Sequence, residues 1–138
     1  MCMVNEAPLQ ARLYGEKLGD YQLIDGWWQA RHQRPFLETL VPPLGIVAEL
    51  GGEARAAAWA YESCGVGVAF LEYVITRPGL TFRQASLGIG CCLHALESLL
   101  RSHGYSVLRC IAGERLAPFA AAHGFQGAAG FSNLVKSF

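Results

Sequence analysis

The sequence predicts a mixed α/β fold: one sheet, mostly antiparallel, with helices packed on both faces. Three observations predict it. The segments LGIVAEL, RAAAWAYE and VAFLEYVIT follow one another with short glycine-containing links, the pattern of an antiparallel meander. The next segment places Ile89, Cys92, Leu93, Leu96 and Leu100 at the spacing of a helix with one buried face. A further strand, SVLRCIA, follows that helix, so strand, helix and strand form a right-handed crossover with a locally parallel pair.

The elements can be justified in order. Leu9–Tyr14 alternates loosely and reads as a first strand. Asp20 is expected as the N-cap of a helix from Tyr21 to His32, in which Tyr21, Ile24, Trp27 and Trp28 recur at helical spacing. Pro35 limits that helix, and Pro42-Pro43 is an extended connector. Strands are expected at Leu44–Leu50 and Arg55–Glu62, joined by the hairpin signal Gly51-Gly52. Val68–Thr76 is the strongest strand signal, ended by Arg77-Pro78-Gly79. The long helix closes at His103-Gly104, a glycine C-cap signal. A strand at Ser106–Ala112, a short helix at Arg115–His123 with Pro118 in its first turn, and a last strand within Phe131–Phe138 complete the chain.

Length and composition bound the function. With 138 residues the sequence suits one domain, and 52% hydrophobic against 16% charged residues excludes a disordered linker. Lys+Arg and Asp+Glu are both 11. That balance argues against nucleic acid, whose phosphates call for a basic excess. No apolar run is long enough to cross a membrane, and the N-terminal MCMVNEAPLQ lacks the regions of a signal peptide. The five cysteines, Cys2, Cys64, Cys91, Cys92 and Cys110, are odd in number and contain no CxxC pair. This argues against disulfides and a zinc site and points to a cytoplasmic protein with reduced thiols. Few charges in a small domain leave apolar surface to cover, for which a homodimer is the simplest arrangement.

Several strings, taken in order, carry a resemblance. FLEYVIT leads through a loop to Gly88-Ile89-Gly90 and the long helix; His103-Gly104-Tyr105 runs straight into SVLRCIA; a short helix ends in His123-Gly124-Phe125. In this order and spacing the chain resembles the GNAT superfamily of acyl-CoA-dependent N-acetyltransferases over nearly its whole length. The Trp27-Trp28 helix and the entry Pro-Pro-Leu-Gly resemble the short GNAT-like proteins of phage and prophage genomes.

The resemblance implies a GNAT-like sheet of six to seven strands whose central parallel pair splays apart to admit acetyl-CoA. The pantetheine arm would pair with the strand before the long helix, at Tyr73, Val74, Ile75 and Thr76. The pyrophosphate would sit on free N–H groups at the helix start. The family writes that site as Gln/Arg-x-x-Gly-x-Gly/Ala, and this sequence departs from it. Ala85 stands three residues before Gly88, and counting from Gln84 instead puts Leu87 and Ile89 at the small positions. Two helix starts therefore stay open. In one, the glycine loop at Gly88, Ile89 and Gly90 binds the phosphates. In the other, Thr81-x-x-Gln84 forms a capping box, and the phosphates move to the first turn at Phe82, Arg83 and Gln84. Arg83 serves either site.

The resemblance also implies direct attack of a small-molecule or peptide amine on the thioester. Glu72, the only charge in the most apolar strand, is the candidate base, with desolvation expected to raise its pKa. The alternative is a solvated strand residue. The family often places a thiolate-protonating Tyr five residues before the Phe of the helix-ending Gly-Phe; here that position is Ala120. The asparagine often found near the start of that helix has no match around Gly113. Two functions follow: an acetyl-CoA-dependent N-acetyltransferase, or a GNAT-fold binding module with weak or absent catalysis.

The other constellations read more plainly. Cys92 falls on the buried stripe of the long helix, and Cys91 lies beside it near an expected helix N-terminus, where a thiolate is favoured. His32, His94, His103 and His123 show no metal-ligand spacing. In the layout implied by the resemblance, the Arg31–Pro43 loop borders the acceptor, but its charges are mixed and suit a solvated surface.

Overall fold

The computed structural model describes residues 8–111, 116–127 and 133–138. Strand β1 (Gln10–Leu13) leads to α1 (Asp20–His32), the meander β2 (Leu44–Leu50), β3 (Glu53–Glu62) and β4 (Val68–Thr76), then α2 (Phe82–Ser102). Strand β5 (Val107–Ile111), the short α3 (Ala117–Ala122), β6 (Gln126–Gly127) and β7 (Asn133–Ser137) follow. The strands form one seven-stranded sheet in the order β1-β2-β3-β4-β5-β7-β6. Among the described strands only β4 and β5 pair in parallel, as expected for a crossover through α2.

The ends of these elements have local causes. Gly51 and Gly52 both take positive φ, 60° and 81°. That conformation closes a two-residue hairpin, so Leu50 pairs directly with Glu53 and β3 begins two residues earlier than Arg55. Helix α2 ends with Gly104 at φ 90° and a bond from Tyr105 N–H to the Leu100 carbonyl, 2.9 Å. Helix α3 ends in the same way, with Gly124 at φ 89° and a 3.0 Å bond from Phe125 N–H to the Ala120 carbonyl. His-Gly-aromatic thus closes both helices by one device. The expected ends at Ala112, Arg115 and Phe131, the comparison around Gly113, and Cys2 lie outside the described residues.

Asp20 is not the cap that the sequence predicts. Gly19 holds that position at φ 92°, and Asp20 is the first helical residue. Its carboxylate turns back instead. It accepts two bonds of 2.7 Å from Arg12 and others from the N–H groups of Gly15 and Lys17. Arg12 also pairs with Glu49 of β2, which Lys17 contacts at 2.8 Å. An ionised, bidentate pair outcompetes a neutral cap bond, so this cluster fastens α1 to β1 and β2.

Two apolar layers sandwich the sheet. On one face Ile46, Ala56, Ala58, Ala60, Leu71 and Leu108 meet Ile89, Cys92, Leu93, Leu96 and Leu100 of α2. On the other, Val47, Ala57, Trp59 and Ile75 meet Ile24, Trp27 and Phe36. Strand β3 is pressed from both sides, which explains its run of alanines. Among the described residues no helix is long and apolar enough to cross a membrane.

Asp20 gives the first prediction. Burial alone pushes its carboxyl up, but the bonds from Arg12, Gly15 and Lys17 outweigh burial and hold it below the usual carboxylate range. A lowered native pKa stabilises the fold above the unfolded value and loses that contribution as pH falls through the folded one. Asp20→Asn should therefore cost roughly 3 kcal/mol at pH 7 by urea unfolding. The difference from wild type should shrink below about pH 4. An equal cost at pH 7 and pH 3 would contradict the assignment.

Candidate functional site

The site begins with a misfit between two strands. Along β3 and β4, Trp59 pairs with Tyr73 but the next residue, Ala60, pairs with Leu71. Glu72 is thus an extra residue, a β-bulge. The bulge inverts the faces of the strand. Before it, Ala69 and Leu71 face α2; after it, Tyr73 and Ile75 join the α1 layer and Val74 faces α2.

The parallel pairing stops at the same place. Strand β4 pairs with β5 only from Val68 to Leu71. Beyond that point no described residue pairs with its outer edge. The Arg77 N–H bonds the Arg55 carbonyl at 2.8 Å. By antiparallel alternation Ile75 and Tyr73 also direct their backbone groups to β3, whereas Val74 and Thr76 direct theirs into the gap. The expected run Tyr73–Thr76 is therefore divided. Val74 and Thr76 offer backbone partners to a ligand; Tyr73 and Ile75 do not.

A cavity of about 410 Å³ lies along this open edge. Val74, Ile75 and Thr76 form one wall, Phe82, Ala85 and Ile89 of α2 another, and Leu116 and Phe119 a third. The rings of Phe82 and Phe119 stack at 4.6 Å. Arg31 enters from α1 and donates to the Thr76 carbonyl at 3.1 and 3.2 Å and to its hydroxyl at 2.8 Å. The sequence suggested for Arg31 a loop that borders the acceptor or is simply solvated; it lies in the last turn of α1, and its contact with Thr76, 45 positions away, carries no local signal.

Of the two helix starts, the structure adopts the capping box. Thr81 Oγ1 accepts from Gln84 N–H at 3.2 Å, and Gln84 Oε1 accepts from Thr81 N–H at 3.0 Å. Among the described residues nothing accepts from the N–H groups of Phe82 and Arg83, the remaining donors of the first turn. Gln84 is occupied by the cap. Gly88, Ile89 and Gly90 lie inside the helix, past the turn whose amides are free, so the expected glycine loop is corrected. The glycines serve packing instead. A Cβ on Gly88 would stand 3.0 Å from Ala56 Cβ, and one on Gly90 would stand 2.6 Å from His123 Cε1. Gly90 faces a different groove, with His94, Glu97 and His123. Ile89 reaches the main cavity by its side chain alone.

Cys91 is corrected with the same helix start. It lies in mid-helix, and burial pushes its thiol up; burial does the same to Cys92, whose sulfur donates to the Ile46 carbonyl at 3.7 Å. Neither is an activated nucleophile.

Glu72 lines a second cavity of about 270 Å³ with Phe70, Leu71, Arg109, Cys110 and Ile111. It is exposed, on the same face as the exposed Phe70 and opposite the buried Leu71. Tyr73 sits against Phe36 and Trp28, with ring centroids at 5.2 and 5.6 Å. Burial, and then the charge of Glu72, push its phenol up. Ala120 is buried in the α2 layer. Among the described residues no cluster could hold a metal ion.

The packing role of the glycines is testable. In α1, Gly26 is exposed and a Cβ there meets nothing within 4 Å, so Gly26→Ala should stabilise by about 0.5–1 kcal/mol. At Gly88 the same helix-propensity gain is opposed by roughly 1–3 kcal/mol of overpacking, so Gly88→Ala should destabilise. Thermal melts that stabilise both variants equally would contradict the close approach of α2 to β3.

No protein-family model matches the chain, and no curated protein matches it. Solved structures do. An N-acetylglutamate synthase from Neisseria gonorrhoeae, complexed with coenzyme A and L-arginine, is similar at TM-score 0.72 and 16% identity over 96% of this chain. The chain spans 34% of that protein's length. An aminoglycoside 6'-N-acetyltransferase from Enterococcus faecium is similar at TM-score 0.71 and 11% identity, over 93% of this chain and 96% of its own. A GNAT family acetyltransferase from Brucella melitensis in complex with acetyl-CoA is similar at TM-score 0.61 and 14% identity, over 95% and 88%. With the splayed β4–β5 pair and its order of elements, the chain has the GNAT acetyltransferase fold.

Proposed function

We propose that the chain is an acetyl-CoA-dependent N-acetyltransferase that acylates a small-molecule or peptide amine by direct attack. One observation carries this reading: the unpaired edge of β4 beyond Leu71 borders a cavity that runs to the first turn of α2. An extended amide-containing arm would pair there with Val74 and the Thr76 N–H, adding a strand to the open edge. The Thr76 carbonyl becomes available when Arg31 releases it. The pyrophosphate would meet the free amides of Phe82 and Arg83, the helix dipole and the Arg83 side chain. Tyr73, Ile75, Gln84, Gly88, Ile89 and Gly90 then support the site by packing or capping.

The thioester end of such an arm reaches the bulge. There the carboxylate of Glu72 takes a proton from the acceptor ammonium, directly or through water. The neutral amine attacks the carbonyl carbon, the C–N bond forms, and the C–S bond breaks. The nitrogen loses its second proton, and the departing thiolate accepts one. A thiol with a pKa of about 8.5 leaves acceptably as its anion. The buried Ala120 therefore removes an assisting acid without removing the route. That same Ala120 favours the second reading, a cofactor-binding module without turnover.

Calorimetry with acetyl-CoA tests the proposal. Binding should be micromolar, and Arg83→Glu, a change on an exposed residue, should weaken it by about tenfold at low salt and less at high salt. Glu72→Gln should leave that binding intact and lower turnover of an accepted amine by about a hundredfold or more. No binding at millimolar acetyl-CoA would overturn both readings; tight binding with no turnover of any amine would leave the binding module.

A further inference from the structure

The second cavity carries information about the acceptor. It opens on the α1 face of the sheet where α1 does not reach. Leu108 and Cys110 point into the α2 layer, so Arg109 and Ile111 point the opposite way. Phe70 and Ile111 are 41% and 85% exposed there, leaving an apolar platform uncovered. Arg109 pairs across the strands with Phe70, and Glu72 lies two residues further along β4. No ion pair or hydrogen bond engages either Glu72 or Arg109 among the described residues. The cavity thus presents an anion and a cation, neither engaged by a described partner, across an apolar floor.

We propose that this cavity selects, as the acceptor, a free α-amino acid with an apolar side chain. The inference rests on the acetyltransferase reading for its chemistry. Glu72 would take the ammonium group at the bulge, beside the thioester. Arg109 would take the carboxylate with its planar guanidinium fork. Phe70 and Ile111 would cover the side chain. The ammonium releases its proton to Glu72, nitrogen displaces sulfur at the acyl carbon, and the products are the N-acetylamino acid, coenzyme A and one proton. An amine without a carboxylate leaves Arg109 unmatched, and glycine leaves the platform bare.

The test is a titration of the intact protein with L-leucine, L-leucine methyl ester and glycine, with and without acetyl-CoA. L-Leucine should bind about tenfold or more tighter than either of the others. Arg109→Gln, a change on the solvent side of the sheet, should remove the preference for acid over ester while ester binding persists. In turnover the same variant should raise KM for L-leucine far more than it lowers kcat. Equal binding of acid and ester, or no binding of L-leucine at millimolar concentration, overturns the inference. Where acetyl-CoA binds and L-leucine does not, this inference falls and the acetyltransferase reading stands. Where acetyl-CoA itself fails to bind, that reading falls, and the amino-acid titration still decides what the cavity accepts.

Discussion

The extra residue at Glu72 is the constraint on which the site depends. Strand β4 must pair with β3 along its whole length but with β5 only as far as Leu71. The bulge reconciles the two demands. It rotates the strand so that Leu71 stays under α2 while Tyr73 and Ile75 reach the aromatic layer under α1. It also leaves Val74 and Thr76 with backbone groups facing no described strand. An open edge in the middle of a sheet is costly unless something satisfies it. Arg31 satisfies one carbonyl, and a ligand of the right shape would satisfy the rest. The end of the parallel pairing and the carboxylate of Glu72 thus coincide at one inserted residue.

Small side chains set how closely the helices approach that gap. Strand β3 buries Ala56, Ala57, Ala58 and Ala60 completely. Gly88 lets α2 settle on Ala56, and Gly90 makes room for the His123 ring, whose Nε2 lies 3.1 Å from the Ser86 carbonyl. On the other side of the sheet Gly45 leaves space for the Trp59 indole, which a Cβ would meet at 2.3 Å. The glycines in the middle of α2 therefore act on the cavity indirectly: they bring its helix wall close to the sheet.

Periodicity made the scaffold legible in the sequence. The buried stripe of α2 followed from residue spacing, because burial on one face imposes it, and the bounds of β2 and β4 followed from the flanking Gly and Pro residues. The capping box at Thr81 and Gln84 was visible because its partners are three residues apart. What was not legible depends on partners distant in sequence. Asp20 looked like a cap until Arg12 and Glu49 supplied a stronger use for its carboxylate. Gly88-Ile89-Gly90 looked like a loop because a packing glycine and a phosphate-binding glycine are the same letter. Glu72 stayed open between a desolvated base and a solvated strand residue, because the face it takes depends on how two strands pair. Arg109 carried the signal that drew attention to Glu72, a single charge in an apolar strand, and the same reasoning applied to SVLRCIA would have found it.

The central claim is that the open edge of β4 and the first turn of α2 hold acetyl-CoA. Backbone amide signals followed by NMR during an acetyl-CoA titration address it most directly. Val74, Thr76, Phe82 and Arg83 should shift together with one dissociation constant. Gly88 and Gly90, whose amides are bonded within the helix, should move far less. Shifts centred on Gly88 and Gly90, or no shift along β4 at millimolar acetyl-CoA, would contradict it.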